Sequence, residues 1–167
     1  MSINLLADIF RTRKSLAIPE EIAQKFSDES LCRKCGQCCY SSVLYQDRLT
    51  IIPDLPCKYL KKQNENMAIC SIYSERQKVA RWCNNVTKDT VCKGLFPDDC
   101  PYVQNIPGYQ GKVMISGQEK ERFYLWLSRT FPDQIRPEYI SELDWGKFIL
   151  MLNNLGKAQA ERARKRK

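Results

Sequence analysis

Apolar positions recur at helical spacing toward both ends of this 167-residue chain and lose that regularity in the middle. Leu5, Leu6, Ile9 and Phe10 share one helical face. Pro19 stands where a first turn tolerates it, followed by Glu20 and Glu21, whose charges suit a helix N-terminus. Residues 1–30 therefore predict two short helices capping the core. Past position 116 the periodicity returns. "SGQEKERFYLWLSRTF" places Phe123 and Leu127 one turn apart, opens on Ser116 as a candidate cap and stops before Pro132. "SELDWGKFILMLNNLG" begins with the capping-box pattern Ser141-x-x-Asp144. It then aligns Trp145, Phe148, Ile149, Leu152 and Leu155 on one face, with Gly156 as the expected stop.

Residues 31–110 show no such period. "IIPDLPCKYL", "NENMAICSIYSERQ" and "GLFPDDCPYVQNIPGYQG" are punctuated by proline, asparagine and glycine, which favour turns and short elements. A segment of this kind is expected to bury little continuous core, so cross-links must order it. The predicted fold is mainly α with irregular segments: a small cysteine-rich, metal-stapled core flanked by N- and C-terminal helices. Four regions follow, an N-terminal helical extension (1–30), a cysteine-cluster metal-binding domain (31–110), a helical pair packed on it (116–156) and a basic tail (157–167).

Composition changes this picture in three places. With 43% hydrophobic residues, the chain has the makings of a normal globular core. Charges interrupt every apolar run before it reaches the roughly 18 residues of a membrane span, and no signal-type segment develops at the start, so a cytoplasmic protein with no membrane partner is expected. The formal charge is +8. The tail "KAQAERARKRK" supplies much of it; a solvated tail is the simpler reading and attraction to a nucleic acid the sharper one, without any nucleic-acid-binding fingerprint beside it.

The nine cysteines, at 32, 35, 38, 39, 57, 70, 83, 92 and 100, change it most. An odd number in a chain with no export signal argues against a complete disulfide framework, which leaves metal ligation as the leading explanation. Histidine is absent, which excludes mixed cysteine/histidine zinc fingers, imidazole-dependent triads and two-histidine facial triads.

"CRKCGQCC", residues 32–39, overlaps two Cys-x-x-Cys turns and adds a fourth thiol directly after the third. Gly36 lets the chain turn tightly. Adjacent side chains diverge, so Cys38 and Cys39 are expected to serve different centres or to bridge two metals. Zinc takes four thiolates tetrahedrally. Iron–sulfur ligation has its own hint, since the evenly spaced run and a remote Cys100 followed by Pro101 resemble a ferredoxin, although Cys39 breaks the spacing. Softness admits both metals.

The ordered series "CRKCGQCC", "PCKYL", "ICSIYSER", "RWCNNV" and "LFPDDCPYV" resembles the YkgJ/YcgN-like cysteine-cluster family, described as zinc- or iron-chelating domains with a CxxCxxCC signature. The resemblance spans roughly residues 31–103. It implies a ligand set of Cys32, Cys35, Cys38, Cys39, Cys57, Cys70, Cys83 and Cys100, enough for up to two four-coordinate centres of zinc or iron, including a [4Fe-4S] cluster. Cys92 is additional, Ala68 stands where some members carry another cysteine, and Gln77 follows Arg76 where many have proline.

The function expected from these observations is metal chelation by a cysteine cluster, with metal ions and a protein as partners. Two alternatives stand beside it: an iron–sulfur-dependent redox or protein-modification accessory enzyme, and a thiol redox or metal-storage protein. No conventional catalytic constellation is visible. Asp98 and Asp99 read as turn residues, and Arg33, Lys34, Lys58, Arg76, Arg81 and Lys93 as charge compensation for the thiolates. Tyr40, Tyr59, Tyr73, Trp82 and Tyr102, each within three residues of a cysteine, read as packing that shields the cluster from water.

Overall fold

The computed structural model describes residues 16–165. The helix expected around Leu5–Phe10 lies outside them. After Pro19 a single helical turn, α1 (Glu20–Ala23), runs into a 3-10 turn. The cysteine-rich segment then forms β1 (Tyr40–Tyr45), β2 (Arg48–Pro56), β3 (Leu60–Lys62) and β4 (Ala68–Cys70), followed by two short helices, α2 (Arg76–Val79) and α3 (Lys88–Cys92). A two-residue strand, β5 (Lys112–Val113), precedes the long helices α4 (Gln118–Thr130) and α5 (Glu142–Arg164).

The mainly α expectation is overturned: about 41% of the described residues are helical and 16% lie in strands, in two sheets, which makes the fold mixed α/β. One sheet runs β1-β2-β5, with β1 antiparallel and β5 parallel to β2; the other is the β3–β4 hairpin. Two properties hid the first sheet. Its strands are buried over consecutive positions, so the apolar/polar alternation that marks a half-exposed strand is missing. Its hairpin turn uses Gln46 and Asp47 at φ 48° and 61°, without the glycine that usually announces a left-handed two-residue turn. The middle segment also holds more core than expected, because Val43, Leu49, Ile51, Ile52 and Leu55 are fully enclosed.

The α4–α5 pair packs on this hairpin. Val43, Ile52 and Leu55 meet Phe123, Leu127, Phe131, Ile140, Phe148 and Leu152 in one core, and the rings of Phe131 and Phe148 make an edge contact at 5.4 Å. A second core lies around Val91, Phe96, Tyr102, Val103 and Ile106, covered by Leu16, Ile18, Ile22 and Phe26 from the N-terminal segment. The expected cap therefore closes over this second core.

Helix boundaries partly follow the sequence. Ser141 Oγ accepts the Asp144 backbone N–H at 3.0 Å and donates to the Asp144 carboxylate at 2.7 Å, so the expected start of α5 is present. Ser116 is not the cap of α4; Gly117 occupies that position and makes no side-chain bond. Gly156 does not stop α5. The helix continues through the basic stretch to Arg164, where the charges of Arg162 and Arg164 suit a helix C-terminus.

Candidate metal centre

The CxxCxxCC loop is shaped by two left-handed residues. Lys34 has φ 55° and Gly36 φ 72°, after which a 3-10 turn over Gln37–Cys39 is closed by the Cys39 N–H on the Gly36 carbonyl at 2.9 Å. A Cβ at Gly36 would stand 2.8 Å from the Ala68 Cβ and 3.1 Å from Leu60. Glycine is thus demanded by backbone angle and by space. The same contact packs the loop on the β3–β4 hairpin, whose Ala68 N–H donates to the Lys34 carbonyl of the loop at 2.7 Å.

Short connections bring the remaining cysteines to this loop. Cys57 N–H donates to the Cys39 carbonyl at 2.8 Å, Cys70 pairs with Leu60 across β3–β4, and Cys83 closes a turn on Ala80 at 2.9 Å. The β1–β2 register breaks beside the loop: from Tyr40↔Pro56 to Ser42↔Ile51, β2 takes five steps against two on β1. Such an irregularity re-aims the chain that leaves it, here toward Cys57.

All nine cysteines are free thiols, and eight fall into two neighbourhoods. The Cys100 thiol is pushed up to about 11, first by burial, against a backbone hydrogen bond from Tyr102, and also by the sulfurs of Cys38, Cys35 and Cys32. The Cys83 thiol is raised first by burial, against the Arg76 guanidinium, and also by Cys70, Cys38 and Cys57. Between them, the Cys38 and Cys39 sulfurs lie 3.8 Å apart. Their contact eases ionisation of Cys38, helped by Lys112 against the cost of burial, and it holds the proton on Cys39, where burial, Cys57 and Cys83 add to the effect. Cys92 stands apart, its sulfur 4.0 Å from the Leu16 carbonyl.

Among the described residues, no three cysteine or carboxylate side chains stand ready to hold one ion. The donor chemistry nevertheless fits a soft metal: sulfur from five chain segments, a backbone N–H donor at Cys100, and a cation beneath the central pair.

Lys112 carries no signal that sequence reasoning could have used. This lysine is only 7% exposed, and its Nζ donates to the carbonyls of Cys38 at 3.0 Å and Tyr40 at 2.9 Å. Burial lowers its pKa, and the Cys38 and Cys39 sulfurs act in the opposite direction. A lone lysine between Gly111 and Val113 resembles any surface cation in the sequence; pairing of β5 with β2 turns it inward.

Asp98 and Asp99 hold the turn, as expected: Asp98 pairs with Arg48 and accepts the Gly111 N–H, and Asp99 pairs with Arg33 at 2.9 Å. Of the expected compensating cations, Arg33 is drawn toward Asp99 and Cys35, and Arg76 toward Cys83. Lys58 instead lies 4.9 Å from the centre of the Trp82 ring, and Lys93 pairs with Asp89 at 2.6 Å. Trp82 stacks nearly parallel to Tyr59 at 6.2 Å and tilts against Tyr139 at 6.4 Å.

Over 102 residues, 60% of this chain and 69% of the relative, the sequence is 32% identical to the uncharacterized protein MJ1479.1 of Methanocaldococcus jannaschii. The chain belongs to the family of that archaeal protein. It is also 33% identical to a UPF0260 protein of Marinobacter nauticus over 76 residues, 44% of this chain and about half (49%) of that relative. No family model matches the sequence. No solved structure matches it either. Among the described residues, no helix is long and apolar enough to cross a membrane.

Proposed function

We propose that this chain is a thiolate metal-binding protein of the YkgJ/YcgN-like type that holds zinc or iron in two four-cysteine centres. The first uses Cys32, Cys35, Cys38 and Cys100, the second Cys39, Cys57, Cys70 and Cys83. The observation that carries the division is the position of the Cys38–Cys39 pair between two groups of three. Cys32, Cys35 and Cys100 neighbour one another, whereas Cys57, Cys70 and Cys83 border a separate cavity together with the pair. If both members of the pair joined one group, the division would be five and three. Splitting the pair gives four and four, the complement that two tetrahedral thiolate sites need.

Bound zinc would supply a redox-inert cross-link, and a bound iron–sulfur cluster would supply one-electron exchange. The chain's own residues tie distant segments together at the cluster, keep sulfur partly out of water and place Lys112 against the negative charge. A reducing cytoplasm is the compartment that suits nine free thiols.

The test is purification without oxygen, followed by elemental analysis, sulfide determination and visible spectroscopy. Two zinc ions per chain, or iron with matching labile sulfide and charge-transfer absorption, is the expected result. Protein that is fully folded and free of transition metal would end this reading.

A further inference from the structure

The second sulfur group has an open side. A cavity of about 580 Å³ is bordered by Cys38, Cys39, Cys57, Cys70 and Cys83, and not by Cys32, Cys35 or Cys100. That volume lies within the range of small-molecule sites, roughly 300–1,000 Å³.

Charge and shape narrow the occupant. Arg76, Arg81, Arg136 and Lys112 line the cavity and no Asp or Glu does. Four thiolates around a 2+ centre carry −2, which these four cations more than offset. Two of the guanidiniums are already engaged: Arg76 lies 3.7 Å from Glu29 and donates to the Tyr73 carbonyl, and Arg136 donates to the Ile140 carbonyl with Glu142 at 3.4 Å. Arg81 has no carboxylate partner among the described residues. The neighbouring Trp82 has a buried Nε1 with no hydrogen-bond partner. A guanidinium without a carboxylate partner, on a wall that carries four cations and no Asp or Glu, favours an anionic acceptor. The wall around them is flat and apolar, built from Trp82, Tyr59 and Tyr139, and Ile135, 77% exposed, also borders the cavity.

We propose that this cavity binds a small anion carried on a flat aromatic body, with Arg81 holding the anionic group and the Trp82 and Tyr139 rings holding the aromatic body. The proposal rests on the two-centre reading only for the metal beside the cavity. It makes the two centres unequal: the first is a staple near the surface, where Cys32 and Cys38 are exposed, and the second adjoins a ligand.

The test uses the full chain as isolated, with its metal content measured on every sample, and titrates it with anilinonaphthalene sulfonate and with uncharged N-phenylnaphthylamine. The sulfonate is expected to bind saturably, one per chain, and to quench Trp82 emission. The uncharged probe and the Arg81→Gln variant should each weaken binding by about tenfold or more, the size expected for loss of one charge-assisted hydrogen bond. Trp82→Ala should weaken both probes, because both use the aromatic wall. Near-UV circular dichroism identical to the parent chain shows that these variants are folded. Equal affinity for both probes, or sulfonate binding untouched by Arg81→Gln, overturns the site. Metal-loaded protein that binds no sulfonate overturns the site and leaves the two-centre reading standing. Metal-free protein that binds it through Arg81 does the reverse.

Discussion

Lys112 Nζ donates to the carbonyl oxygen of Cys38 at 3.0 Å from a position that is almost completely enclosed. A buried ammonium is costly unless it is hydrogen-bonded and faces negative charge. Here two carbonyls accept from it, and the sulfurs of Cys38 and Cys39 favour its charged form. Lys112→Met should therefore act twice. It leaves the Cys38 and Tyr40 carbonyls unpaired, at a cost of about 1–3 kcal/mol for each group left unsatisfied, and it removes the cation that balances the thiolates. Chemical denaturation should show the loss of stability, and chelator competition should show faster metal release. A variant that melts lower yet releases metal at the parent rate would restrict Lys112 to a packing role.

The division of the cysteines has a numerical consequence. Cys32→Ser and Cys70→Ser should each remove half of the bound metal, because each disables a different centre. Cys32→Ser combined with Cys35→Ser should remove no more than Cys32→Ser alone, whereas Cys32→Ser combined with Cys70→Ser should remove nearly all. Metal-to-protein ratios on desalted samples decide the matter. Complete loss from either single variant would mean one shared cluster. Cys92→Ser should leave the ratio unchanged, since its sulfur lies against the Leu16 carbonyl.

Gly36 is the residue on which the loop turns. Replacement by alanine imposes a left-handed backbone on a residue with a Cβ, which costs about 1–2 kcal/mol, and drives that Cβ to within 2.8 Å of Ala68. The two penalties are separable. Ala68→Gly in the Gly36→Ala background should recover the steric part and leave the backbone part, so a double-mutant cycle on denaturation free energies should give a favourable coupling between positions 36 and 68. Additive effects would show that the contact carries no energy. Metal content should fall with stability in the single variant, because Cys35 and Cys38 flank the turn.

How much of this was legible in the sequence depended on how local the signal was. The α5 start could be read because a capping residue and its partner lie three positions apart. The ligand candidates could be read because thiols crowd into one segment, where chance would scatter them. The β1–β2 hairpin could not: its strands are buried over consecutive positions, which erases alternation, and Gln46 and Asp47 carry a turn chemistry usually left to glycine. Gly156 misled because a glycine inside a helix costs only about 1 kcal/mol relative to alanine, less than α5 gains by continuing. Lys112 and Arg136 were invisible for a different reason. Their roles come from contacts with residues 72 and more positions away for Lys112, and from placement on a cavity wall for Arg136.

The two halves of the first core are joined at their edge by Tyr124 of α4, whose hydroxyl donates to the carboxylate of Asp54 on β2. Burial and then Asp54 hold this phenol well above its ordinary pKa of 10; Lys120 stands 6.0 Å from the ring. In the unfolded chain the same phenol ionises near pH 10. Above that pH the unfolded state releases a proton that the folded state still holds, so the contribution of this contact is fully present below about pH 10 and declines as pH rises toward the folded value. Tyr124→Phe should lower stability at pH 7 by about 1 kcal/mol or somewhat more, as for a hydrogen bond to a charged acceptor that stays accessible to water. Its stability should also fall less steeply than the parent's between pH 10 and pH 11. Tyr45, Tyr102 and Tyr139 are raised as well, but they are common to both proteins and cancel in the difference. Urea denaturation at closely spaced alkaline pH values gives that difference directly, and parallel curves would mean that Asp54 does not hold the Tyr124 proton in solution.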